Sequence, residues 1–141
     1  MSSFTKKYTD EEMNAALSEL LIGGEYLETA VYCIFKDTGF FASNRNIIMG
    51  YVGITDMGRL LCCKYSTISD EPASYNMEDI IQIKIKPAIF GQKIITIVFD
   101  EGKKRTVKFQ LAPKIAGSKM PNQEQNAEKL LEILEAKQNK L

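Results

Sequence analysis

Histidine is absent from all 141 residues. That absence excludes Ser-His-Asp and Cys-His catalytic groupings, histidine-ligated zinc and imidazole acid–base chemistry. Cysteine is scarce: Cys33, Cys62 and Cys63 are the whole complement. An odd count with one adjacent pair is no disulfide framework, and it fits a reducing cytoplasm. No apolar run approaches the roughly 20 residues that a membrane-spanning helix needs. The N-terminus, MSSFTKKYTDEE, has a basic pair with no apolar stretch behind it, so a secretory leader is not expected. Net charge is missing too. Eighteen Lys and Arg balance eighteen Asp and Glu, so no global field draws the chain to nucleic acid or membrane. No P-loop, dinucleotide-binding glycine pattern or EF-hand spacing occurs. No catalytic residue, metal ligand, cofactor or specific nucleic-acid partner is expected.

What is present is ordinary for a soluble domain: 45% hydrophobic and 26% charged residues. A chain of this length can form one domain and bury a core without staples. The informative feature is a change of hydrophobic period. From Glu25 to Leu111 apolar residues recur in short, β-branched, alternating runs. After Pro121 they recur at helical spacing, at Ala127, Leu130, Leu131 and Leu134.

An earlier helical stretch opens at Thr9, where Thr9-Asp10-Glu11-Glu12 reads as a capping box. Met13, Ala16, Leu17, Leu20 and Leu21 form its apolar stripe, and Gly23-Gly24 ends it. Strands are predicted at Glu25–Phe35, Ile47–Thr55, Arg59–Ser66, Ile80–Lys86, Lys93–Phe99 and Lys104–Leu111, with a very short one at Ser74-Tyr75. In the first, Leu27, Thr29, Val31, Cys33 and Phe35 share a face. In the fourth long strand Ile81, Ile83 and Ile85 alternate with Gln82, Lys84 and Lys86. Ile68 to Ala73 contains Pro72 and reads as a connection. Gly50 and Gly53 point to a bend, a bulge or a close backbone approach. Gly58 supplies the positive φ of a tight hairpin. Pro87 to Gly91 reads as a break. Asn122, with Gln125 three residues on, caps the last helix.

The expected architecture is all-β with terminal helices. Seven antiparallel strands form a sandwich or partial barrel, capped by a C-terminal α-helix. Residues 1–24 are a helical extension and 25–141 the main body.

Three pieces of sequence stand out: Gly24-Glu25 at the entry to the first strand, the strand-turn-strand segment Tyr51-Val52-Gly53-Ile54-Thr55-Asp56-Met57-Gly58-Arg59-Leu60-Leu61, and Pro121-Asn122 with Asn126, Leu130, Leu131 and Leu134 at the closing helix. In this order they resemble the corresponding segments of bacterial pleckstrin-homology-like (PH-like) domains. The resemblance spans Gly24 to the C-terminus and implies a binding module without catalysis. Some eukaryotic relatives bind inositol-phosphate lipids through a basic motif at the first hairpin. Here Lys36 and Arg45 fall in that region, but Ile47 stands where a second basic residue would help, and Asp37 adjoins Lys36. Phosphoinositide binding is therefore not expected.

Charge is distributed unevenly. Ile80 to Lys119 holds nine basic and two acidic residues, a net +7, whereas residues 1–29 hold two basic and six acidic, a net −4. Lys84 and Lys86 share a strand face, as do Lys104 and Lys108. Such a face could meet an anionic membrane, nucleic acid or an acidic partner; the plainer reading is a solvated sheet face with lysines guarding its edges. Phe40 and Phe41, near Arg45, could contact a bilayer or a protein pocket, or cover the end of the sandwich. Met13, Leu17, Leu20 and Leu21 could join a second copy or pack on their own domain. Cys62 and Cys63, adjacent on a strand, point to opposite faces and cannot easily share a metal. Asp70-Glu71 and Glu78-Asp79 sit in turns and are assigned no acid–base role.

The leading expectation is a cytoplasmic, non-catalytic module for protein contact, self-association included. The alternative is peripheral binding to anionic lipid through the basic sheet face. A second alternative is a small-ligand enzyme using carboxylate or lysine chemistry.

Overall fold

Alternation in the middle of the chain does produce strands, and helical spacing at either end produces helices. The computed structural model describes residues 9–36, 47–65, 70–112 and 120–141. Helix α1 (Asp10–Ser18) precedes strands β1 (Leu27–Lys36), β2 (Ile47–Thr55), β3 (Arg59–Tyr65) and β4 (Asp70–Asn76). A 3₁₀ turn (Met77–Asp79) leads into β5 (Ile80–Pro87), β6 (Lys93–Asp100) and β7 (Lys104–Leu111), and helix α2 (Gln123–Asn139) closes the chain.

All seven strands belong to one antiparallel sheet, in the order β4-β3-β2-β1-β7-β6-β5. The sheet folds over on itself. Tyr75 on the β4 edge stacks on Phe99 of β6, their rings 4.7 Å apart at 20°. The two halves join narrowly, since β1 meets β7 through Ile34↔Gln110 and Phe35↔Phe109. The main core fills the fold, with Val31, Val52, Leu60, Ile95, Ile97 and Phe109 fully covered. Ala127, Leu130 and Leu134 of α2 enter the same core, so the C-terminal stripe seals the opening between the halves.

Gln123 shows how that seam is satisfied. Beyond the β7 contact, the backbone of β1 needs other partners. The Gln123 side chain supplies them. Its Oε1 accepts from the Tyr32 N–H at 3.0 Å, and its Nε2 donates to Tyr32 O and Ala112 O, each at 2.9 Å. A 1% exposed amide thus stands in for a strand. Gln123→Leu removes all three bonds at similar volume. It is expected to cost about 2 kcal/mol, measured by urea denaturation, with faster amide exchange at Tyr32.

Helix α1 lies on the opposite, outer face of β1, β2 and β3. Thr9 Oγ1 accepts from the Glu12 N–H at 3.0 Å, which fixes the start. Met13 and Leu17 are fully buried with Ala30, Tyr51, Leu61 and Cys63, and Leu20 and Leu21 are half-buried beside them. Each buried aliphatic contributes about 2 kcal/mol.

Five local expectations change. Helix α1 ends at Ser18, before the glycines, because the chain then turns so that Leu20 O accepts from Arg59. Leu27 leaves the face of Thr29: a register shift between them turns it towards α1. A second shift between Ile80 and Gln82 leaves Ile81 48% exposed and buries Ile80 with Ile83. Asp70–Asn76 is a full strand despite Pro72, because β4 is a sheet edge and the missing N–H faces no neighbouring strand. Asn122 makes no side-chain cap; its N–H donates to Asp10 Oδ2 at 3.3 Å, joining the acidic start of α1 to the positive start of α2.

Candidate functional site

Pairing register decides which lysines meet. Lys84 pairs with Thr96, and Thr96 with Lys108, so both ammonium groups flank one threonine on one face. Lys86 lies in the next row, through Ile94 and Gln110 to Ile34 of β1. Lys104 pairs with Asp100 farther along the same face. Strands stand ~4.8 Å apart, so Lys84 and Lys108 originate roughly 10 Å from one another. This is the outer face of β5, β6 and β7. Helix α1 packs on the other three central strands and α2 on the inner side. The four candidate lysines are thus on one face, Lys84, Lys86 and Lys104 exposed and Lys108 half-buried.

Met13 and Leu17 are 0% exposed within the chain. Of the two alternatives left open for this stripe, the structure shows the packing within the domain: Met13 and Leu17 lie on the outer face of β1 to β3, with Leu20 and Leu21 half-buried beside them. Phe40, Phe41 and Arg45 lie outside the described residues, as does the neighbourhood of Lys114 and Lys119.

The buried carboxylate is Glu25, at the junction of α1 and the sheet. Thr55 Oγ1 donates to its Oε2 at 2.7 Å, Arg59 Nη1 to its Oε1 at 2.6 Å, and the Ile22 N–H to Oε1 at 3.0 Å. Burial acts to raise its pKa. The Thr55 hydroxyl, the Ile22 N–H and the Arg59 guanidinium outweigh that and hold it below the ordinary 4.5. The arrangement favours the anion at neutral pH, where Glu25 acts as a structural clamp.

Cys62 faces the main core and Cys63 the second cluster beneath α1, as alternation requires. Burial pushes the Cys62 thiol up to about 12 and the Cys33 thiol up as well, so neither supplies a thiolate near neutral pH. Among the described residues, no group of three or more Cys, Asp or Glu could hold a metal ion. A shallow groove of about 440 Å³ runs between α1, the start of β1 and α2, lined by Asn14, Glu28, Asn122, Gln125, Asn126 and Lys129. It offers amide hydrogen bonds and no pair of opposed carboxylates.

One exposed feature escaped the reading of the sequence. The turn between β5 and β6 carries Ile89 and Phe90, 72% and 89% exposed. The available signal was an apolar pair in a turn bounded by Pro87 and Gly91 and flanked by Lys86 and Lys93.

No family model matches the chain, and no curated protein matches it. Among solved structures, the chain is similar to the hSac2 domain from the human phosphoinositide phosphatase Sac2. The TM-score is 0.54 and the identity 14%, over 91% of this chain and 78% of that one. At that identity the likeness concerns the fold alone. No helix among the described residues is long and apolar enough to cross a membrane.

Proposed function

We propose that the protein is a non-catalytic interaction module that docks an anionic surface through the outer face of β5, β6 and β7. The observation that carries this reading is the register that gathers Lys84, Lys86, Lys104 and Lys108 on a face neither helix covers. In a chain of zero net charge, such a gathering creates a local positive field that the composition does not. Kinship with bacterial PH-like domains and a cytoplasmic setting belong to the same proposal, supported by the order of elements and by three cysteines that form no disulfide. The phosphatase named above lends no substrate at 14% identity.

Non-catalysis is supported by the chemistry of the groups described. Glu25 is held charged, the core thiols are held neutral, and the chain has no histidine. Self-association through α1 is not favoured, because its central side chains are already covered.

Heparin-agarose is a suitable polyanionic probe. The wild-type protein is expected to be retained at low salt and released as salt rises. The variant Lys84→Glu, Lys86→Glu, Lys104→Glu, Lys108→Glu is expected to flow through with its melting temperature little changed. Wild-type flow-through at low salt would refute the reading.

A further inference from the structure

We propose that the β5–β6 turn is a membrane-inserting tip, and that the anionic surface met by the lysine face is a phospholipid bilayer. This rests on the reading of that face given above. Single exposed apolar residues are ordinary on protein surfaces, but three observations distinguish Ile89 and Phe90.

The first is backbone conformation. Phe90 sits at φ 58° and ψ 36°. Bulky L residues rarely occupy this left-handed region, and an outlier of this kind commonly marks function. Here the strained residue is an aromatic one, 89% exposed. Folding has placed a large apolar ring in water at a strained position, so burial of that ring within the domain does not explain it.

The second is preorganisation. The Ala88 N–H donates to Gln92 O at 2.8 Å and the Gln92 N–H to Ile89 O at 3.2 Å. The Gln110 side-chain amide of β7 donates to the Gln92 side chain. The turn is thus tied to itself and to the sheet. A tip already held in shape loses little conformational freedom when it is buried.

The third is the charge around it. From Ile80 to Phe99 the sequence contains Lys84, Lys86 and Lys93 and no Asp or Glu. Lys86 and Lys93 stand on the two strands that carry the tip, at its base and on opposite faces of the sheet: Lys86, exposed, pairs with Ile94, and Lys93, half-buried, pairs with Pro87. Asp100 and Glu101 lie at the far end of β6, while exposed Glu124, Glu128, Glu132 and Glu135 lie on α2, which packs on the inner side of the fold.

An apolar tip with a lysine collar matches the layering of an anionic leaflet, where acyl chains accept the two apolar side chains and phosphates the ammonium groups. Phe90 is three residues from Lys93. Three residues span at most ~10 Å when extended and less across this turn, so ring and collar lie within the ~5–10 Å depth that interfacial side chains reach. Neither signal alone gives firm attachment; the combination does. An acidic protein would match the lysines but would also need a pocket for both apolar side chains.

The chain has no tryptophan, so Phe90→Trp provides a lone fluorescent reporter. With phosphatidylcholine vesicles containing phosphatidylserine, its emission is expected to shift to the blue. Phosphatidylcholine alone is expected to leave it unchanged. The double variant Ile89→Ala, Phe90→Ala is expected to weaken co-sedimentation with the anionic vesicles by about tenfold or more. Its heparin retention and melting temperature should match the wild type. Heparin retention without vesicle binding would overturn the bilayer and leave an acidic protein as the partner class. Vesicle binding that survives the double variant, with no fluorescence shift, would overturn insertion. Loss of heparin retention in the wild type would instead strike the lysine-face reading itself.

Discussion

Gly50→Ala is expected to destabilise the protein by about 3 kcal/mol or more, lowering the melting temperature by roughly 10 °C. The smallest possible side chain is already too large there. A Cβ on Gly50 would lie 2.0 Å from the carbonyl oxygen of Cys63 and 2.9 Å from Cε2 of Phe35. The first contact is backbone of the neighbouring strand, so no rotamer change relieves it. The β2–β3 pairing at Gly50↔Lys64 and Tyr51↔Cys63 would have to open. Phe35 is itself fixed by the tilted ring of Phe109 and by Lys64 Nζ, 5.2 Å above it, so the second contact yields little either. Gly23→Ala is the matched control: nothing lies within 4 Å of its added Cβ and its φ is not positive. Thermal unfolding of the two variants side by side measures the difference. A Gly50→Ala protein as stable as wild type would refute the close approach.

Arg59→Ala is expected to cost about 3 kcal/mol and to loosen α1 from the sheet. The substitution removes the 2.6 Å bond to Glu25 and the 3.3 Å bond to Leu20 O, leaving a carboxylate at a buried site without its guanidinium. Thr55 would remain, donating to Glu25 while accepting from the Arg59 N–H. The same clamp predicts an acid limb. The folded pKa of Glu25 lies below the ordinary 4.5, so the folded state binds its proton less readily than the unfolded chain. Stability from this group is therefore fully present above the ordinary value and is lost as pH falls through the folded value. Glu25→Gln should flatten that part of the stability–pH curve. Urea titrations of wild type and Glu25→Gln from neutral to acid pH measure it; parallel curves would rule out the clamp.

Much of the fold was legible because its signals are local. The capping hydroxyl of Thr9, the positive φ of Gly58 and the alternation of β6 and β7 depend on neighbours in sequence. The close approaches at Gly50 and Gly53 were signalled by glycine itself inside a strand. The co-facial lysine pairs were legible from alternation within each strand. Their union into one patch was not, because it depends on the β5–β6–β7 register. Leu27 and Ile81 mislead for a related reason: one extra residue at each shift reverses the face of everything beyond it. Glu25 and Arg59 are 34 residues apart, and Gln123 reaches 91 residues back to Tyr32. No spacing rule connects such partners.

The amino-acid order alone determined the two periodicities, the sites of most turns, the exclusion of imidazole chemistry and the uneven placement of charge. These follow from backbone geometry repeating every two or 3.6 residues and from side-chain chemistry that needs no partner. Only the folded chain decided which faces look inward at the bulges, which lysines share a surface, that Met13 and Leu17 are covered, and that Ile89 and Phe90 are left in water. Those outcomes depend on the summed burial of contacts between distant segments, which no short window contains.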